Sequence, residues 1–184
     1  RLVDDLMSLS RIESDKHRPP TDPVDLVPLV EEVRATLGRK LADGGRRLVI
    51  DAASGLPPVA GDRDQLLQLF YNLISNAIKY GFSNTPITVR IRRDGRSMLR
   101  LSVEDEGEGI APEHLPRLTE RFYRVDAGRS RSIGGTGLGL AIVKHIVERH
   151  RGQLSISSDT GVGTRVTALL PAASASARPA VLSR

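Results

Sequence analysis

The apolar positions of the chain follow two periods, and the switches between them outline its elements. Leu2, Leu6, Leu9 and Ile12, with Val3 beside them, recur at helical spacing and form one apolar stripe over residues 1–16. A helix this short has nothing of its own to bury that stripe. The segment is therefore expected to be the end of a helix from a longer bundle or dimer. Pro19, Pro20 and Pro23 cannot continue it, so residues 17–24 read as a linker. A helix is predicted from Leu26 to Ala42, ended by Gly44 and Gly45. It is followed by a strand over Arg47 to Ala52, a turn over Gly55 to Gly61, and a long helix from an Asp62 cap through Tyr80. Ile87 to Arg93 and Met98 to Glu104 read as strands joined at Asp94-Gly95, a hairpin signal. A glycine-rich turn, a short helix over Pro112 to Glu120 and a polar basic loop come next. Gly134 to Gly152 is a glycine-rich loop running straight into an apolar helix. Gln153 to Ser158 and Thr164 to Leu170 are the closing strands. Residues 172–184, rich in Ala, Ser, Arg and Pro, read as a disordered tail. This order predicts an α/β protein, with a domain over 25–171 built as a two-layer α/β sandwich: one mixed sheet with helices on one face.

Composition narrows the setting. With 184 residues the chain suits one medium domain plus appendages. It has no apolar run of membrane-spanning length and no signal peptide. It begins with Arg rather than Met, so it is expected to be a piece of a longer protein. The absence of cysteine excludes disulfides and thiolate metal sites, and fits a cytoplasmic location. A net charge of +5 raises the question of nucleic acid, but the Lys and Arg residues are scattered and aromatics make up only 3%. A solvated basic surface is the reading, with no nucleic-acid partner.

Three segments carry candidate chemistry. In the glycine-rich loop, Gly135, Gly137 and Gly139 remove side chains where backbone N–H groups can approach a phosphate, and the helix behind them aims its positive end at an anion. No Gly-Lys-Ser/Thr follows, so this is not a P-loop. A glycine-rich helix start packed for structural reasons has the same signature. On the helix over 62–80, Gln68, Asn72, Ser75, Asn76 and Lys79 fall within an arc of about 100° on an otherwise apolar surface. The stripe either faces water or offers amide oxygens from Asn72 and Asn76 to one point. The second arrangement suits a Mg²⁺ already neutralised by a triphosphate. At Glu104-Asp105-Glu106-Gly107-Glu108-Gly109-Ile110 a strand ends in carboxylates and spaced glycines. This is an ordinary acidic turn or an acceptor for an exocyclic amine such as adenine N6.

Taken together, QLFYNLISNAIKYG, DEGEGI, RLTERFYRVD and GGTGLGL stand in the order and spacing of four motifs of one family. The chain resembles the catalytic ATP-binding domain of bacterial sensor histidine kinases, members of the GHKL superfamily with a Bergerat-type fold. The run PEHLPRLTERFYRVDAGRSRS is most similar to the phosphate-regulon branch. Residues 1–16 resemble the end of the second helix of that family's dimerisation domain.

The resemblance implies ATP and Mg²⁺ as cofactors. It makes Asn76 a Mg²⁺ ligand with Asn72 beside it, Lys79 a phosphate partner, and Tyr80 a neighbour of the adenine. Asp105 would accept from adenine N6, with Gly107, Gly109 and Ile110 around the base and Thr164 behind Asp105. Arg124 would reach the γ-phosphate and, with Asn76, act in catalysis. Residues 125–134 would form a lid, and Gly135, Thr136, Gly137, Leu138, Gly139 and Leu140 its phosphate-holding hinge. Phe122 would contact the helical bundle, and Thr119 stands where many relatives have Phe. The implied function is transfer of the ATP γ-phosphate to a histidine on a dimerisation helix. The whole protein would be a membrane-anchored homodimer with this portion in the cytoplasm and a response regulator downstream, while this piece alone is expected to be monomeric. None of His17, His114, His145 and His150 has the family's acceptor context, so the piece alone is expected not to label itself. Two other readings remain. One is an ATP hydrolase of the same superfold, which would need a Glu where Gln68 stands. The other is a degenerate nucleotide-binding or docking module.

Overall fold

The computed structural model of the chain describes residues 2–14, 18–125 and 135–173. In chain order the elements are α1 (Leu2–Ser14), β1 (Pro23–Val24), α2 (Leu26–Asp43), β2 (Arg47–Ala52), β3 (Val59–Ala60), α3 (Arg63–Tyr80), β4 (Pro86–Asp94) and β5 (Met98–Glu106). A 3-10 helix (Pro112–Arg117), α4 (Gly139–Arg149), β6 (Gln153–Asp159) and β7 (Gly163–Pro171) follow. Five strands form one mixed sheet in the order β2-β4-β5-β7-β6. β2 runs parallel to β4, and every other neighbouring pair is antiparallel.

Alternation along the strands decides which face is covered. On β4, Ile87, Val89 and Ile91 are buried, while Thr88, Arg90 and Arg92 between them are only partly so. On the uncovered face Arg90 pairs with Asp51 and Glu104, and Arg165 also reaches Glu104. The other face lies under α2, α3 and α4. α3 sits between its two neighbours. It buries Leu66, Leu69, Phe70, Leu73, Ile74 and Ala77, the wide apolar sector expected of a central helix. Its start is set as the sequence predicts: the Asp62 carboxylate accepts from the N–H groups of Asp64 and Gln65, each at 3.1 Å. The expected two-layer α/β sandwich is the observed architecture.

Four details differ from the sequence reading. The last two residues of the expected linker form β1, which pairs with β3 inside the expected turn. Burial of Val24 and Val59 drives this pairing. Ala172 and Ala173, placed in the tail, are also paired: Ala172 bridges to Val59, and the Ala173 N–H donates to the Pro58 carbonyl at 2.9 Å. The short helix expected over 112–120 is a 3-10 helix that ends at Arg117, with Pro116 inside it. Finally, the apolar stripe of α1 divides. Leu9 and Ile12 are 2% exposed, whereas Leu2 and Leu6 are 47% and 43% exposed. The C-terminal half of α1 packs on α4, so this half of the stripe has a partner within the chain. An ion pair of Glu13 with Arg121 adds to the seam.

Candidate functional site

A cleft of about 730 Å³ opens between α3, α4 and the ends of β5 and β7. The amide stripe faces it. Gln68, Asn72, Ser75, Asn76, Lys79 and Tyr80 all line the cleft. Their side of α3 therefore faces the cleft rather than the sheet, with Ser75 buried and Tyr80 exposed at the rim. Val103, Ile156 and Val166 contribute apolar lining.

At one end α3 meets the start of α4. The Asn72 side-chain amide donates to the Gly139 carbonyl at 3.5 Å. A Cβ added to Gly139 would stand 3.8 Å from the Asn76 amide nitrogen, an ordinary contact distance, so the start of α4 lies beside Asn76. The N-cap residue of α4, Leu138, has no side-chain cap to offer, and Gly139 and Leu140, in its first turn, line the cleft. The helix start thus presents its positive end there. Gly135, Thr136 and Gly137 also line it, but Leu138 does not. Leu138 is fully buried and serves the core, and its carbonyl accepts the Ile142 N–H at 2.9 Å. Gly137 has φ +73°, and a Cβ there would fall 2.9 Å from the Phe122 Cα. Glycine is required at that joint by close backbone approach.

At the other end lies Asp105, whose Cβ would stand 3.4 Å from a Cβ built on Gly81, the residue that follows α3. Asp105 is half-buried. Burial pushes its carboxyl up to about 6, against the pull of a backbone hydrogen bond from Thr164 and the charge of Arg46. Thr164 is its register partner on β7 and lines the cleft. Two glycines expected to admit a base have other demands on them. Gly107 does not line the cleft. It bridges to Gly81, and a Cβ there would stand 2.6 Å from the Tyr80 carbonyl oxygen. Gly109 lines the cleft, but a Cβ there would meet the Asp159 carbonyl oxygen at 2.1 Å. The Ile110 N–H donates to Ser158 Oγ at 2.9 Å, and that hydroxyl in turn lies 2.8 Å from Thr164 Oγ1.

Arg124 also lines the cleft. Its Nη2 is buried and has no hydrogen-bond partner among the described residues. A buried guanidinium N–H left unpaired is costly, and a bound anion would satisfy it. Of the expected lid over 125–134, only Val125 is described. It is exposed and lines the cleft, and the remainder lies outside the described residues.

The donor set bears on a metal. No group of three or more His, Cys, Asp or Glu side chains that could hold an ion occurs among the described residues. Neutral amide oxygens at Asn72 and Asn76 suit a cation whose charge is balanced by its own ligand, and they fit Mg²⁺ in that form only.

The sequence reading missed several cleft residues. Asp4 and Asp5 of α1 line it, and Asp5 accepts a hydrogen bond from the Thr136 hydroxyl at 2.8 Å. Arg46, which does not itself line the cleft, anchors the far end by donating to the Gly81 carbonyl at 2.6 Å. Tyr123 lines the cleft beside Arg124. A basic residue just ahead of a strand and an acidic first turn of a helix are commonplace, so neither Arg46 nor Asp5 carries a local signal. Tyr123, next to Arg124, was within reach of the motif.

Residues 61–174 match the family described as histidine kinase-, DNA gyrase B- and HSP90-like ATPases. The chain belongs to this family, whose members bind ATP. It is 42% identical over 166 residues to the phosphate regulon sensor protein PhoR of Pseudomonas aeruginosa, covering 90% of this chain and 37% of that protein. It is 38% identical over 172 residues to the sensor-like histidine kinase SenX3 of Mycolicibacterium smegmatis, covering 92% and 44%. The chain thus spans less than half the length of these curated relatives. Among solved structures, full-length ShkA in complex with AMPPNP superposes with a TM-score of 0.82 at 26% identity, covering 95% of this chain and 36% of that one. The resemblance drawn from four motifs, including its phosphate-regulon branch, agrees with these matches.

Proposed function

We propose that this chain is the catalytic ATP-binding portion of a two-component sensor histidine kinase, which presents the γ-phosphate of ATP to a histidine on a dimerisation helix. The observation that carries the reading is the pairing of opposite ends in one cleft. Two amides and the start of α4 line the cleft together with Arg124, whose Nη2 has no hydrogen-bond partner among the described residues, and a half-buried carboxylate stands at the far end of α3. Asp105 would take the adenine amine, with Tyr80 against the base. Asn72 and Asn76 would hold Mg²⁺, and Lys79 and the backbone of Gly135 to Leu140 would hold phosphate. Mg²⁺ would neutralise charge on the phosphates and orient them. Imidazole is nucleophilic without an added base, so positioning and charge stabilisation are the protein's task, and Arg124 would supply the charge that matters as the phosphoryl group leaves. Gln68 lines the same cleft and has no carboxylate to activate water, which disfavours the hydrolase reading. The wider protein would be a membrane-anchored homodimer with this portion in the cytoplasm, passing phosphate to a response regulator. No helix among the described residues is long and apolar enough to cross a membrane.

Two measurements test the proposal. Calorimetric titration should show ATP bound in preference to GTP, with Asp105→Asn weakening ATP by about 1–3 kcal/mol, the scale of a lost charge-assisted hydrogen bond. Equal affinity for ATP and GTP would remove the adenine assignment. The chain mixed with Mg-ATP and a separately made acceptor-helix hairpin should yield acid-labile phosphohistidine. Robust ATP hydrolysis by the chain alone, abolished by Gln68→Ala, would favour the hydrolase instead.

A further inference from the structure

One cluster near the cleft is unused by this reading. The 3-10 helix carries His114, whose Nδ1 lies 2.7 Å from the Tyr123 hydroxyl. Arg117, from the same helix, stacks on the Tyr123 ring with its guanidinium carbon 4.2 Å from the centroid. Glu120 steadies Arg117 through contacts of 3.2–3.3 Å. The Tyr123 ring is therefore held at its edge and on its face by one short element. Between Glu120 and Arg124 the backbone makes an unusual turn. Phe122 has φ +64°, a left-handed conformation that a bulky residue adopts only where its surroundings impose it. Two restraints flank that residue. Its own N–H donates to the Gly137 carbonyl at 2.9 Å, and Tyr123 is clasped by His114. Just beyond stands Arg124, whose buried Nη2 has no hydrogen-bond partner among the described residues. An arginine side chain has many rotamers, so holding one in place calls for a rigid backbone beneath it.

We infer that His114 and Tyr123 are positioning residues: their bond, together with the Gly137–Phe122 bond, holds the turn that aims Arg124 into the cleft before nucleotide arrives. The inference rests on the reading of Arg124 as the γ-phosphate group. His114 does not line the cleft and acts only through Tyr123. Because Arg124 is aimed at the terminal phosphate, the clasp matters to ATP and not to ADP.

The readout is the ratio of ATP to ADP affinity, measured by calorimetry on the whole chain with Mg²⁺. Arg124→Ala should abolish the preference for ATP. His114→Leu and Tyr123→Phe should each lower the ratio three- to tenfold while ADP affinity stays within twofold of the parent. The double variant should lose no more than either single one. His114→Asn, whose side-chain amide can reach the hydroxyl from about the place of Nδ1, should restore most of the ratio. If Arg124→Ala abolishes the preference while Tyr123→Phe and His114→Leu leave it intact, the clasp plays no part and the inference is overturned. If Arg124→Ala itself leaves the ratio unchanged, the γ-phosphate reading fails and the inference falls with it, so the two failures are distinguished.

Discussion

Asp105 illustrates how burial tunes a single side chain. Its carboxyl is raised to about 6 chiefly because the charged form loses water, with Thr164 and Arg46 only partly compensating. An exocyclic amine meeting that carboxylate would add a second donor to the Thr164 backbone N–H. Below pH 6 the free protein holds the proton, and binding must displace it. ATP affinity is therefore expected to fall as pH drops from 7 to 5, by at most about tenfold per unit. Asp105→Asn should bind more weakly and lose that part of the pH dependence. Calorimetry across the range, with the variant's profile subtracted to remove the titration of ATP itself, checks this. The carboxylate and its glycine neighbours were legible in the chain as a candidate acceptor. Its raised pKa was not, since the groups around it come from β7 and from the residue preceding β2.

At the scale of elements, α3 and the glycine-rich loop were the parts most open to reading. The stripe from Gln68 to Lys79 is regular because a helix brings side chains onto one face every three to four residues, whatever the helix packs against. The loop read as glycine-rich without showing which glycine serves what. Gly137 needs its left-handed φ and admits the Phe122 backbone, whereas Gly139 would have only ordinary contacts with a Cβ. Gly137→Ala is expected to cost about 1–3 kcal/mol and to weaken ATP binding by disturbing the Phe122 turn, and Gly139→Ala should be tolerated far better. Thermal melts of the two variants beside the parent, with nucleotide titrations, separate them. Gly107 and Leu138 teach the same lesson in reverse. Both lie within motifs, yet one accommodates the end of α3 and the other fills the core.

Over the whole molecule, α3 and α4 are tied together far from the cleft. His150 is 2% exposed. Its Nδ1 lies 2.7 Å from the Ile146 carbonyl oxygen, to which it donates, leaving Nε2 to accept the Asp62 N–H at 3.0 Å. Arg149 reaches the Asp62 carboxylate at 3.4 Å. Burial depresses the His150 pKa below 6.5, with the Ile146 carbonyl opposing and Arg149 assisting. Above pH 6.5 the ring is neutral folded or unfolded, and nothing is lost. Below it the unfolded chain takes up a proton that the folded ring resists. Stability should then fall as the medium is acidified, by at most about 1.4 kcal/mol per pH unit. Asp105 acts the opposite way, since protonation below 6 relieves its buried charge. The His150 effect is therefore best measured by denaturant unfolding in an Asp105→Asn background. His150→Gln there should flatten the slope between pH 7 and 5.

What the sequence by itself determined is what depends on neighbours along the chain. Period, caps and turn residues specified the helices and the five main strands, and their order specified the sandwich. Four motifs in register specified the family and most of the cleft lining. The tertiary structure alone decided which distant groups meet. Pro23-Val24 pairs with Val59-Ala60, half of α1 packs on α4, Asp5 reaches Thr136 and Arg46 stands by Asp105. The clasp of Tyr123 by His114 spans only nine residues, yet it too needed the fold, because a 3-10 helix and a left-handed turn bring the two rings together. Such contacts arise from burial and from the need to pair polar groups where elements pack, and these conditions exist only once the chain has closed on itself.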